Sequence, residues 1–144
     1  MIRKKDGWIW IEKSGDKRKH SAKWLPPTPM EYWKHWGKWL IFRPLDELAE
    51  LAEKVNALVE ADAIEGAKYA TVNKVGKVDA GKRVMCVYCD DRDRDRVFGL
   101  LAALGVTRRI WKYDHETYEQ NGITYQKWLE PLLKKALKST KLTS

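Results

Sequence analysis

The chain has no long apolar run. Nothing in its 144 residues approaches the roughly 20 consecutive apolar positions that a membrane span requires, and the N-terminus MIRKKDGWIWIEKSGDK lacks the apolar stretch of a leader. A cytoplasmic protein with no membrane partner is therefore expected. Asn, Gln and Met are scarce beside 33% charged residues, a composition that suits a thermophilic source. Cysteine is scarce too. The two that occur, Cys86 and Cys89, lie in RVMCVYC, which reads as a buried strand on which residues three apart face opposite ways. No second pair and no histidine cluster completes a zinc site, so both are expected to be structural and no metal is expected. P-loop, GxGxxG, HExxH and GxSxG motifs are also missing, which removes the common catalytic signatures and leaves no cofactor to expect.

What is abundant is positive charge, unevenly placed. Residues 1–40 carry ten Lys+Arg against four Asp+Glu, and residues 67–89 and 126–144 each carry five against one. Residues 41–66 reverse the balance, with two against seven. Basic blocks around one acidic helix suit a face that meets phosphates, although a solvated, charge-rich surface gives the same count.

The pattern along the chain alternates strand and helix signals. GWIWIEK (7–13) reads as a strand, and SGDKRKHSAKWLPP as a polar loop carrying His20. Thr28 with Glu31 makes a capping box around Pro29, so a short helix is expected from about Pro29 to Trp36, closed by Gly37 in a left-handed conformation. The recurrence of Trp33, Trp36 and Trp39 is then a junction, two on a helix face and the third on the strand KWLIF. Leu48, Leu51, Ala52, Val55, Leu58 and Val59 form the apolar stripe of a helix over 44–63. AKYATVN and RVMCVYC read as strands joined by the loop KVGKVDAGK, DDRDRDRVFGLLAALG as a helix stopped by Gly105, and RRIWKYD as a further strand. The Asp/Arg run is expected to be a solvated helix start. HETYEQNGITYQKW turns at Asn121-Gly122, and a basic helix starts at Pro131. The order β, α, β, α, β, β, α, β with a tail predicts an α+β domain, a curved and mainly antiparallel sheet with two long helices on one face. No repeat or linker divides it: one domain spans 1–144, with a core over about 7–130 and a basic tail over 131–144.

GKWLIF, an amphipathic helix, GAKYATVN, RVMCVYCDD, a helix ending LGV, and RIWKYDHETY follow one another with short gaps over roughly residues 33–125. This succession resembles the family of the basophilic leukaemia expressed protein and its archaeal members. The resemblance implies a fold like that of the cap-binding translation initiation factor 4E, which holds a base between tryptophans while Lys and Arg take its phosphates. Some archaeal relatives carry the name phosphothreonine lyase, which implies an alternative activity on phosphorylated substrates. No cap-binding signature is matched residue by residue, so recognition of a methylated cap is not implied.

The candidate site residues follow from alternation. Lys38, Lys68, Arg83 and Lys112 fall on expected strands; if they meet on the face left bare by the helices, they make an anion cradle, and otherwise they are independent surface positions. Lys38, Lys68 and Lys112 are expected to share that face, since an ammonium cannot sit under an apolar helix without a partner. Trp39 and Trp111 alternate with lysines and should enter the helix-covered core. Trp33, Trp36 and Tyr118 lie at element ends and are expected to be exposed stacking surfaces, with Trp36 or Tyr118 at the rim of a concave pocket; base stacking is worth about 1–3 kcal/mol per base. Strict alternation also places Leu40 and Phe42 beside Lys38, so that face is partly apolar or the strand carries a bulge. The leading expectation is binding of single-stranded RNA or a nucleotide phosphate. An enzyme would need a proton-transfer pair, with Lys68 as base and His35 or His115 as acid. An interaction module would dock its basic tail on an acidic partner.

Overall fold

The computed structural model describes residues 1–15, 25–72 and 81–143, with side chains to residue 138. His20 and most of the loop expected after AKYATVN lie outside the described residues. The chain opens with β1 (Ile2–Lys5) and β2 (Trp8–Ile11), joined through Asp6 and Gly7. Both turn residues have positive φ, 57° and 79°, the two-residue hairpin turn whose twist matches that of the strands. β1 was not expected. Its IRKK is exposed at three of four positions, so it shows no apolar alternation, and its lysines protect a sheet edge.

Thr28 caps α1 (Pro29–His35), its Oγ1 accepting from the Glu31 N–H at 3.2 Å. The helix stops one residue earlier than expected, because Trp36 is already extended and opens β3 (Trp36–Arg43). Gly37 is not a left-handed cap. It is a strand residue, and a Cβ there would lie 2.5 Å from Trp111 Cζ2 and 2.8 Å from the Lys112 carbonyl oxygen. Glycine is needed for close approach between strands, not for a turn.

α2 (Leu45–Glu60) follows, then β4 (Gly66–Ala70), β5 (Arg83–Asp90), α3 (Arg94–Ala103) and β6 (Trp111–Tyr113). The chain ends in α4 (Asp114–Gln120) and α5 (Tyr125–Thr143). The six strands form one open antiparallel sheet in the order β1-β2-β4-β5-β3-β6. Among the described residues these strands and five helices make an α+β architecture.

One main core lies between one face of the sheet and two helices. Leu48, Leu51, Val55 and Val59 of α2 and Val97, Phe98 and Leu101 of α3 pack with Ile11, Trp39, Ile41, Tyr69, Met85 and Val87. Trp39 is buried as alternation requires; its indole N–H donates to the Arg94 carbonyl at 3.0 Å, and Trp111 packs against it at 70°. Each large side chain so buried contributes roughly 1.5–3 kcal/mol. Cys89 belongs to this core, whereas Cys86 lies on the opposite face in a small cluster with Ala70 and Val84. Both thiols are free.

α4 and the start of α5 differ from expectation. HETYEQ was expected to lead into a turn, but Asp114 and Glu116 fill the first turn of a helix, and the Glu116 carboxylate accepts from the Tyr113 N–H at 2.8 Å. α5 begins six residues before Pro131, because the Thr124 hydroxyl and carbonyl accept from the N–H groups of Lys127 and Trp128. That cap outweighs the proline signal, and Pro131 sits inside the helix on an exposed stretch.

Candidate functional site

The sheet face turned away from α2 and α3 carries two rows of side chains fixed by register. Arg3, Trp10, Lys68, Cys86 and Leu40 pair in one row across β1, β2, β4, β5 and β3. Gly66, Tyr88, Lys38 and Lys112 pair in the next, across β4, β5, β3 and β6. Lys38, Lys68 and Lys112 therefore share this face. Trp8, Leu40, Phe42 and Tyr88 pack on its small apolar cluster, and β3 pairs with β5 without a bulge, so the face is partly apolar.

Arg83 does not join the lysines. Its register puts it with Arg43, on the alternation of Met85 and Ile41, and its guanidinium donates to the Lys82 carbonyl at 2.9 Å and the Thr71 carbonyl at 3.4 Å. Lys38 and Lys112 are each held by neighbours on α4. Lys38 Nζ donates to Asp114 Oδ1 at 2.9 Å and to Thr117 Oγ1 at 3.2 Å, with both side chains of the ion pair only 12% and 13% exposed. Lys112 Nζ donates to Gln120 Oε1 at 2.9 Å. α4 thus lies across the β3–β6 end of the face and narrows the cradle.

Lys68 stands in a different environment. Its ammonium lies 4.0 Å from the ring centroid of Trp8, 4.8 Å from that of Trp10 and 6.0 Å from that of Tyr88. Cations are drawn to such faces by the ring quadrupole, most strongly for tryptophan. Burial pushes the Tyr88 phenol well above its usual pKa, with Cys86 and Asp114 adding to it, so Tyr88 keeps its hydroxyl proton. Burial likewise pushes the Cys86 thiol up to about 11 against the opposing pull of Lys38 and Lys68, which leaves it an unreactive neighbour.

The aromatic residues expected to form the rim are used elsewhere. Trp36 is buried, 3% exposed, and stacks on Tyr32 at 5.6 Å. Trp33 and Tyr118 stack on each other at 5.7 Å and 17°, and Trp128 packs against Trp33 at 5.2 Å and Tyr32 at 5.7 Å. These rings join α1, α4 and α5. Element ends are expected to be exposed, but ends that meet in space bury one another's faces. The residues that line the face away from α2 and α3, Trp8, Trp10 and Tyr88, were missed. The signal was present in WIWI, where the two tryptophans share one face and the two isoleucines the other.

Of the two described histidines, His35 is held by a carboxylate. His35 Nδ1 lies 2.9 Å from Asp91 Oδ1, whose other oxygen accepts from the Tyr113 hydroxyl at 2.9 Å. His115 stacks on Tyr113 at 5.0 Å and approaches Glu119 at 3.3 Å. Both lie around β6 and the start of β3, whereas Lys68 is on β4, so the Lys68–histidine pair is not assembled. Among the described residues His35, Asp90 and Asp91 place potential metal-ligand atoms within 4.8 Å of one another. Arg92 already holds both Asp90 oxygens, at 2.9 and 2.6 Å, and reaches Glu31 at 3.5 Å, which makes this group an ion-pair network tying α1 to the end of β5.

Among the described residues no helix is long and apolar enough to cross a membrane. No family model, curated protein or solved structure matches the chain.

Proposed function

We propose that the chain binds single-stranded RNA or a nucleotide phosphate on the sheet face turned away from α2 and α3, with Trp8, Trp10 and Lys68 at its centre. The observation that carries this reading is the Lys68 ammonium set against two indole rings on one face. A base needs an aromatic plane and its phosphate needs a cation a few ångströms away, and this grouping offers both. A base stacked on either indole contributes about 1–3 kcal/mol, while Lys68 exchanges a cation–π contact of about 0.5–2 kcal/mol for a charge-assisted bond to phosphate. Lys38 and Lys112 border the same face and add to its potential, Lys38 less so because Asp114 neutralises it. The family resemblance, and the initiation factor 4E-like fold it implies, support the same use of tryptophan and lysine.

The lyase-like alternative is less well supported, since His35 and His115 face carboxylates and Lys68 faces tryptophans. Fluorescence anisotropy with a short labelled single-stranded RNA tests the proposal. Affinity should fall steeply as salt rises, because bound phosphates release counterions. Absence of binding at low salt, or binding indifferent to salt, would rule it out.

A further inference from the structure

We propose that α5 is an interfacial helix that docks the protein on an anionic lipid surface. The helix is anchored at its start, where Tyr125 and Trp128 pack on Trp33 at 5.7 and 5.2 Å. Beyond that anchor it leaves the body: every residue from 131 to 138 is exposed. Exposed apolar side chains scattered singly need no explanation, but these are ordered. At about 100° per residue, Leu129, Leu132, Leu133 and Leu137 fall within one arc of about 140°. Leu132, Leu133 and Leu137 are 43%, 54% and 63% exposed. Lys127, Lys134, Lys135 and Lys138 occupy the opposite side, with Glu130 the one acid on the helix.

That opposition decides what fits. An acidic protein groove closing over the leucines would leave the lysines pointing away from it, where they contribute little. A second copy packed leucine to leucine would likewise leave the lysines on the outer sides of the pair, where they take no part in the contact. A bilayer interface satisfies both faces at once: the leucines enter the acyl boundary while the lysines extend into the surrounding phosphate layer. The arc is short, so binding should be reversible and dependent on both features.

The test is sedimentation of the full chain with vesicles of phosphatidylcholine containing about 30% phosphatidylserine, beside vesicles of phosphatidylcholine alone. The chain should partition onto the anionic vesicles, weakly or not at all onto the neutral ones, and dissociate as salt rises. Leu133→Ser with Leu137→Ser should weaken partitioning at least about tenfold, and so should Lys134→Gln with Lys135→Gln and Lys138→Gln. All five positions are exposed, so the near-ultraviolet circular dichroism should stay that of the parent. Failure to sediment with anionic vesicles overturns the proposal. Sedimentation untouched by the leucine changes also overturns it, because the helix would then be a plain polycation for any phosphate, RNA included. A parent chain that is dimeric by ultracentrifugation and becomes monomeric on the leucine changes would assign the arc to a second copy instead.

Discussion

Replacing Asp114 by Asn removes the charge that balances Lys38 in a site with little water. The two side chains are 12% and 13% exposed, their atoms are 2.9 Å apart, and the Tyr32 hydroxyl donates to the second Asp114 oxygen at 3.4 Å. Removing one partner of such a pair costs about 3–5 kcal/mol, since an ammonium stays buried without its counter-charge; the amide oxygen of Asn keeps one hydrogen bond and places the loss near 3 kcal/mol. Lys38→Met strands the carboxylate with only the Tyr32 hydroxyl and should cost a similar amount. The double variant buries neither charge unpaired, so it should be far more stable than the sum of the singles implies, with a coupling of at least about 2 kcal/mol. Urea unfolding followed by tryptophan fluorescence measures all four proteins. The coupling should change little when salt is raised, because the pair is shielded from solvent ions. A coupling under about 1 kcal/mol that salt abolishes is the behaviour of a surface pair, and would refute the placement of α4 across the sheet.

Gly37→Ala should destabilise by about 1–3 kcal/mol in the same assay, because the new Cβ would lie 2.8 Å from the Lys112 carbonyl oxygen as well as against Trp111. Gly99→Ala, inside α3 with nothing within 4 Å, should instead stabilise by about 0.5–1 kcal/mol. Cys86 and Cys89 are each 5% exposed and burial raises both thiols, so neither should react with a thiol reagent at about pH 8 until the protein unfolds. Glu60 accepts from the N-terminal ammonium at 2.6 Å and from the Ser14 N–H and hydroxyl, which lower its carboxyl from 4.5 to about 2. Its folded value lies below its unfolded one, so its contribution is complete above about pH 4.5 and disappears as pH falls towards 2. The stability difference between the parent and Glu60→Gln should shrink over that interval.

The sequence disclosed most where a periodic apolar pattern met a large core. The α2 stripe follows the helical period, and the β3 and β5 strands and the burial of Trp39 follow alternation, all against one covered face. Elements stabilised by local polar geometry left weaker traces. β1 is charged along its length, α4 is seven residues long and capped by Glu116, and α5 begins at a threonine cap with Pro131 inside it. The site was half legible for a related reason. Alternation correctly put Lys38, Lys68 and Lys112 on one face, but it could not disclose that α4 would bring Asp114 to Lys38, or that α1, α4 and α5 would converge to stack Trp33 on Tyr118. Both facts depend on contacts more than 70 residues apart in sequence, Lys38 to Asp114 and Trp33 to Tyr118.

The most direct test of the proposed binding face compares RNA binding by three variants, Trp10→Leu, Lys68→Met and Tyr118→Leu, each first shown to be folded. The account predicts that Trp10→Leu loses a stacking platform worth about 1–3 kcal/mol, about a fivefold to 150-fold weakening. Lys68→Met should weaken binding and flatten its salt dependence, by about one unit of slope at most. Tyr118→Leu should leave affinity near that of the parent, because its ring is already committed to Trp33. Loss of binding in Tyr118→Leu with full binding in the other two would contradict the account and move the ligand to the junction of α1, α4 and α5.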